Sequence, residues 1–176
     1  MAVSDETAIR AVPGSHDPTG GIIDLDAVEN PIVRAGIAHW RAIRGARKFP
    51  ARADLTPRGI AGLLRNISLV RVVGDGEYEF RIVGDAHVIA HGFSLQGLRL
   101  GQVDRYAPGY GAMLKMAYDP VVQRRVAFAL RGFLLKGNKN KQFFYAESAF
   151  LPLGPDDQTV DHILNVSAYI PRDSRN

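Results

Sequence analysis

The spacing of hydrophobic positions along this chain changes from helical to alternating. After Asn30-Pro31 they fall three and four apart, at Val33, Ile37, Trp40 and Ile43, which predicts an amphipathic helix. Asn is a strong helix cap, Pro fits the first turn, and Gly45 supplies a left-handed stop. Thr56-Pro57 opens a second, shorter helix with Ile60, Leu63 and Leu64 inward. The spacing then shortens to two. Residues 67–73 read as a strand, Gly74-Asp75-Gly76 as a tight hairpin turn, and 77–82 as a half-buried strand. Its pattern puts Tyr78, Phe80 and Ile82 on one face and Glu77, Glu79 and Arg81 on the other. Residues 85–118 are irregular. They hold a short helix from Asp85 to His91, several turns broken by glycine and proline, and a helix over 110–118 whose resumption after Pro120 is left open. Three apolar runs, over 126–135, 142–153 and 160–170, are rich in β-branched and aromatic residues and predict strands. Two strands, a helical insert and three strands predict an α+β domain with one antiparallel sheet.

Upstream of that body, residues 1–29 carry turn formers and six acids against one base, and read as a flexible acidic tail, though Ile22, Ile23 and Leu25 are apolar enough to dock. The rest, with the domain placed at 30–172, holds 21 bases against 12 acids, a charge of +9 hidden within the overall +4. A basic body suits an anionic partner, the acidic tail, or simply a solvated surface. The chain has no cysteine, which excludes a disulfide framework, a thiolate metal site and a thiol nucleophile. No run of 18 apolar residues is present, and Asp5 and Glu6 stand where a signal peptide would carry positive charge, so the expectation is a cytoplasmic protein.

Several short motifs occur in a definite order: Trp40-Arg41 in the first helix, Pro50-Ala51-Arg52-Ala53-Asp54-Leu55-Thr56-Pro57 in the loop after it, Ile60-Ala61-Gly62-Leu63-Leu64, Phe80-Arg81-Ile82-Val83-Gly84, and finally Leu151-Pro152-Leu153 with Val160-Asp161-His162-Ile163-Leu164. Over residues 30–170 this pattern resembles the single-domain PAS-like family common in alphaproteobacteria. Arg65-Asn66, where a proline-containing helix end is expected, and the glycine-rich stretch 107–111 depart from it. The resemblance implies a PAS-like α+β fold: a five-stranded antiparallel sheet, short helices over one face, and an N-terminal flanking helix. It also implies signalling work as a sensor or adaptor through a protein partner, with a small ligand of unknown identity as an option and no particular cofactor. Tyr78, Phe80, Ile82, Phe128, Leu130 and Tyr145 read as core residues, and in such a fold the same residues can also line a ligand pocket. The stripe Val33, Ile37 and Trp40 would serve as readily in a homodimer interface as in covering its own sheet.

The remaining candidate chemistry is sparse. His87 and His91 stand one helical turn apart, a metal-compatible spacing, but no third ligand is evident except Asp85, and solvated histidines beside a helix end are the simpler reading; no metal site is assigned. Either of them, or His39 or His162, is a formal haem ligand. Neither a phosphate loop nor a nucleophile elbow occurs; Ser68, Ser148 and Ser167 fall in strands. Glu147 lies in an apolar strand, either as a buried acid or paired with Arg131 or Arg81. No partner for a general base is found, so no catalytic residue is assigned and the chain is read as a non-enzyme. Two alternatives stay open. One is a nucleotide-binding effector working through the basic loop with Lys136, Lys139 and Lys141, nucleic acid itself being less suited for want of interleaved aromatics. The other is a small α+β cone-fold enzyme using Glu147 and Asp161.

Overall fold

The computed structural model describes residues 21–133 and 143–171. They form one six-stranded antiparallel sheet with helices on both faces. The strands are β1 (Gly21–Ile23), β2 (Ile67–Gly74), β3 (Glu77–Val83), β4 (Phe128–Phe133), β5 (Phe143–Leu153) and β6 (His162–Pro171), in the order β1-β4-β5-β6-β2-β3. The helices are α1 (Pro31–Arg44), α2 (Asp85–His91), α3 (Leu100–Val103) and α4 (Tyr110–Arg124).

The sheet has one strand more than the expected five. Gly21, Ile22 and Ile23 pair with Arg131, Leu130 and Ala129. Residues 21–29 therefore belong to the folded body, with Asp24, Asp26 and Glu29 lying between the edge strand and α1. Residues 1–20 lie outside the described residues.

The first helix begins as its sequence dictates. The Asn30 side chain accepts a hydrogen bond from the Ile32 amide at 2.9 Å, Pro31 occupies the first turn, and Gly45 (φ 57°) ends the helix. Val33, Gly36, Ile37 and Trp40 form its buried side. Together with Ile67, Leu69, Ala149, Leu151, Leu153, Leu164 and Val166 they make the first hydrophobic core. The indole Nε1 donates to the Pro152 carbonyl at 2.8 Å. Helix and sheet approach so closely at Gly36 that a Cβ there would stand 2.8 Å from the Val166 side chain. The stripe offered as a dimer surface is thus consumed by the chain's own sheet: Val33, Ile37 and Trp40 are between 0 and 4% exposed and have no surface left for a partner.

Residues 61–66 form a 3-10 turn rather than an α-helix. With three residues per turn, Ile60 and Leu63 share a side, while Leu64 swings outward and is exposed, against expectation. The β2–β3 hairpin turns through Asp75 and Gly76, both at positive φ, as a two-residue connection between twisted strands requires. The strand after it does not alternate throughout. Leu69 pairs with Ile82 but Val70 pairs with Phe80, so Arg81 is an extra residue and β3 bulges there. Tyr78 and Phe80 consequently face α4, whereas Ile82 packs with the α1 core. Helix α4 runs through Pro120 without a break, the proline lacking only the N–H that would have reached the Met116 carbonyl.

A buried polar stripe under the helical cover

On the sheet face opposite α1, a second core gathers Val70, Tyr78, Phe80, Leu100, Val103, Tyr118, Val121, Phe128, Phe150 and Ile163. Beside it, on the same face, the strands carry polar side chains that burial would penalise unless they were paired. Ser148 and Ser167 face each other across β5 and β6, their hydroxyls 2.7 Å apart. Ser167 donates to Asn165 Oδ1 at 3.0 Å, and the Asn165 amide donates to the Ala149 carbonyl at 3.1 Å, which fixes which way the side chain points. Ser68, the β2 partner of Asn165, closes the stripe.

Next to Ser167 on that face the stripe reaches Tyr169, and there it meets the helices. Helix α2 starts where Gly84 lies flush on the 3-10 turn: a Cβ at that position would stand 2.3 Å from the Arg65 carbonyl oxygen. That seat turns His87 and His91, one turn apart, toward β6. His87 Nε2 lies 3.0 Å from the Asn66 carbonyl and Nδ1 lies 2.8 Å from the Tyr169 hydroxyl. A carbonyl only accepts, so Nε2 holds the proton and Tyr169 donates to Nδ1. His91 Nε2 is 3.2 Å from the same Tyr169 oxygen and 3.0 Å from the Tyr110 hydroxyl at the start of α4. The rings meet edge to face, with His87 and His91 each 5.6 Å from Tyr169. Four side chains from α2, α4 and β6 are thereby tied together.

Burial lowers the pKa of His87 to about 4, against a small opposing pull from the Asn66 carbonyl, and burial together with the neighbouring His87 lowers His91 to about 4. Burial also raises the Tyr110 and Tyr169 phenols. At neutral pH the four groups form an uncharged cluster. The two histidines are therefore not the solvated pair that their place near a helix end suggested.

A match to the PAS domain family spans residues 28–167. The chain belongs to the PAS domain family. No curated protein and no solved structure matches it. Its strand order around β2, β3 and the β4–β5–β6 meander, with α2–α4 over one face, accords with that membership, and PAS domains are in general sensory, signalling domains.

The sequence candidates distribute unevenly over this PAS domain. Tyr78, Phe80 and Phe128 do come together, with Leu130 packed alongside, but as the second core, in contact with Tyr118 and Phe150. Ile82 is on the other face because of the bulge. Tyr145 shares the α1 side of β5 with Glu147, not the helical-cover side. Glu147 is the buried partner of Arg131, at 3.3 Å; Arg81 pairs with Glu79 instead. The Glu147 carboxylate also accepts the amides of Glu29 (2.7 Å) and Asn30 (3.0 Å), and Arg131 donates to the Ala27 carbonyl, so the pair fastens the entry to α1. Asp161 contacts His162 at the far end of the sheet, where His162 pairs with Leu153, while Glu147 pairs with Ala168; the two acids are not brought together. His39 packs against the 56–59 loop. Lys136, Lys139 and Lys141 lie outside the described residues. Tyr110, Asn165 and Tyr169 were missed by sequence reasoning. The only available signal was the His87–His91 spacing, which names one wall of the cluster and says nothing of a tyrosine 78 residues further on.

Proposed function

We propose that this PAS domain is a bacterial cytoplasmic sensor or adaptor that hands its signal to a protein partner, working as a homodimer through surfaces other than the buried α1 stripe. The observation that carries the reading is the tie between the helical cover and the sheet at His87, His91, Tyr110 and Tyr169. Further along, α4 is held by the Tyr78 hydroxyl, which donates to Asp119 at 2.7 Å, and by Lys115, which donates to the Gly76 carbonyl at 2.8 Å; its remaining contacts with the sheet are apolar and resist sliding weakly because they lack direction. The polar cluster is directional, so a change in it moves α2 and the start of α4 relative to β6. A population shift of the cover is a form in which a PAS domain can present a signal to a partner.

The test is hydrogen exchange on the Tyr169→Phe variant. Loss of the phenol leaves His87 Nδ1 without its donor, a cost of about 1–3 kcal/mol for a buried unsatisfied group. Amides of α2 are expected to exchange about five- to a hundredfold faster, while those of β4 and β5 are unchanged, since about 1.4 kcal/mol is a factor of ten. Unchanged α2 exchange would remove the coupling on which the sensing reading stands. Sedimentation velocity of the full chain checks the dimer.

A further inference from the structure

The four groups that tie the cover to the sheet are also four metal-ligand atoms. The geometry points to a ferric-iron site made of His87 Nδ1, His91 Nε2 and the Tyr110 and Tyr169 phenolate oxygens. This inference stands on the donor set alone and does not depend on the adaptor reading.

Two observations carry it. Successive donor separations are 2.8, 3.2 and 3.0 Å from His87 through Tyr169 and His91 to Tyr110. Neighbouring donors around an ion at about 2.0 Å stand about 2.8 Å apart in an octahedron and about 3.3 Å in a tetrahedron, so each successive pair already has the spacing of two ligands on one ion. The surroundings also have the form of an outer ligand shell: His87 gives its other ring N–H to the Asn66 carbonyl, which leaves Nδ1 unprotonated.

The donor types select the metal. Imidazole favours first-row transition ions over calcium and magnesium, which take oxygen sets. Phenolate oxygens are hard, anionic donors and favour a small, highly charged ion. Binding releases two protons, one each from Tyr110 and Tyr169, while the neutral imidazoles lose none. Fe(III) with two phenolates then leaves a net charge of +1 in the site. His91, Tyr110 and Tyr169 are each partly exposed, which gives the ion a way in. Among the described residues no three His, Cys, Asp or Glu side chains cluster around a point, so the phenols are what make this a site.

The experiment is titration of the full metal-free chain with ferric nitrilotriacetate, followed by desalting, metal analysis and visible spectroscopy. The expected result is one iron per chain and a phenolate-to-iron charge-transfer band. Tyr169→Phe and Tyr110→Phe should each weaken retention at least tenfold and shift or abolish the band. His162→Gln, whose imidazole lies at the other end of β6, should change neither. Thermal melts establish that each variant is folded; if Tyr169→Phe is not, Tyr110→Phe alone decides. No iron retained by the folded wild type, iron retained without the band, or retention undiminished in the tyrosine variants would each overturn the proposal. So would retention of Zn(II) in preference to iron.

Discussion

Acid should unfold this domain from the inside, beginning well above the pH at which carboxylates protonate. His87 and His91 are held neutral, each with its pKa lowered from 6.5 to about 4, chiefly by burial. In the unfolded chain they take up protons as the pH drops below 6.5; in the folded chain they do not until about 4. The unfolded state therefore binds more protons across that window, and stability present in full above pH 6.5 is lost as the pH falls toward 4. A shift of about 2.5 units at 1.36 kcal/mol per unit makes the fully buried His87 worth about 3 kcal/mol. His91 is more exposed and coupled to His87, so it adds less, and the pair is worth about 4–5 kcal/mol. At pH 5, still above most carboxylate pKa values, about 2–3 kcal/mol should already be gone, a large fraction of the stability of a typical domain. Urea unfolding at pH 7.5, 6, 5 and 4.5 measures it. His91→Gln should show a visibly shallower fall over the same range. A wild type whose unfolding free energy is flat between pH 7.5 and 5, or a variant with an undiminished slope, would refute the claim that the cluster is neutral and buried.

Three further outcomes follow from other parts of the fold. Glu147→Ala should cost about 2–4 kcal/mol in urea unfolding, because it leaves the amides of Glu29 and Asn30 without their acceptor and removes the buried partner of Arg131, which keeps Glu29 and the Ala27 carbonyl. Gly36→Ala improves helix propensity by about 1 kcal/mol yet should lower the melting temperature, since its new Cβ meets Val166 at 2.8 Å and overpacking costs about 1–3 kcal/mol. Adding Val166→Ala should recover part of that loss, a coupling that a double-mutant cycle reads directly. Trp40→Phe should cost about 1–3 kcal/mol by leaving the Pro152 carbonyl unpaired in the first core, again by urea unfolding.

The elements that were legible in the sequence are those whose signal is local. Asn30-Pro31 and Gly45 mark both ends of α1, and Asp75-Gly76 marks the hairpin turn, because cap and turn chemistry needs only neighbours. What depends on distant pairing was not legible. The bulge at Arg81 is imposed by how β3 pairs with β2, so the unbroken alternation of Tyr78, Phe80 and Ile82 misplaced Ile82. The three pairs that make β1 a strand come from β4, more than 100 residues away, and composition there argued for a tail. For Glu147 the pattern left a buried acid or a pair with Arg131 or Arg81 open; Arg131, on the neighbouring strand, is the partner, and the grip of Glu147 on residues 29 and 30 had no trace in the pattern. For the candidate site, His87 and His91 announced themselves by spacing, while Tyr110 and Tyr169 looked like ordinary core aromatics. Burial of polar atoms follows from which strands become neighbours, and an apolar-rich run such as 160–170 hides Asn165, Ser167 and Tyr169 within it.

The edge position of β1 has a practical corollary for anyone who trims this protein. Cutting at residue 30, the start that composition recommends, would strip the outer rim of β4 at 129–131 and uncover a ladder of unpaired amides and carbonyls. Such a margin recruits strands from other molecules. A shortened chain would self-associate for reasons unrelated to signalling, and its oligomeric state would describe the cut rather than the protein.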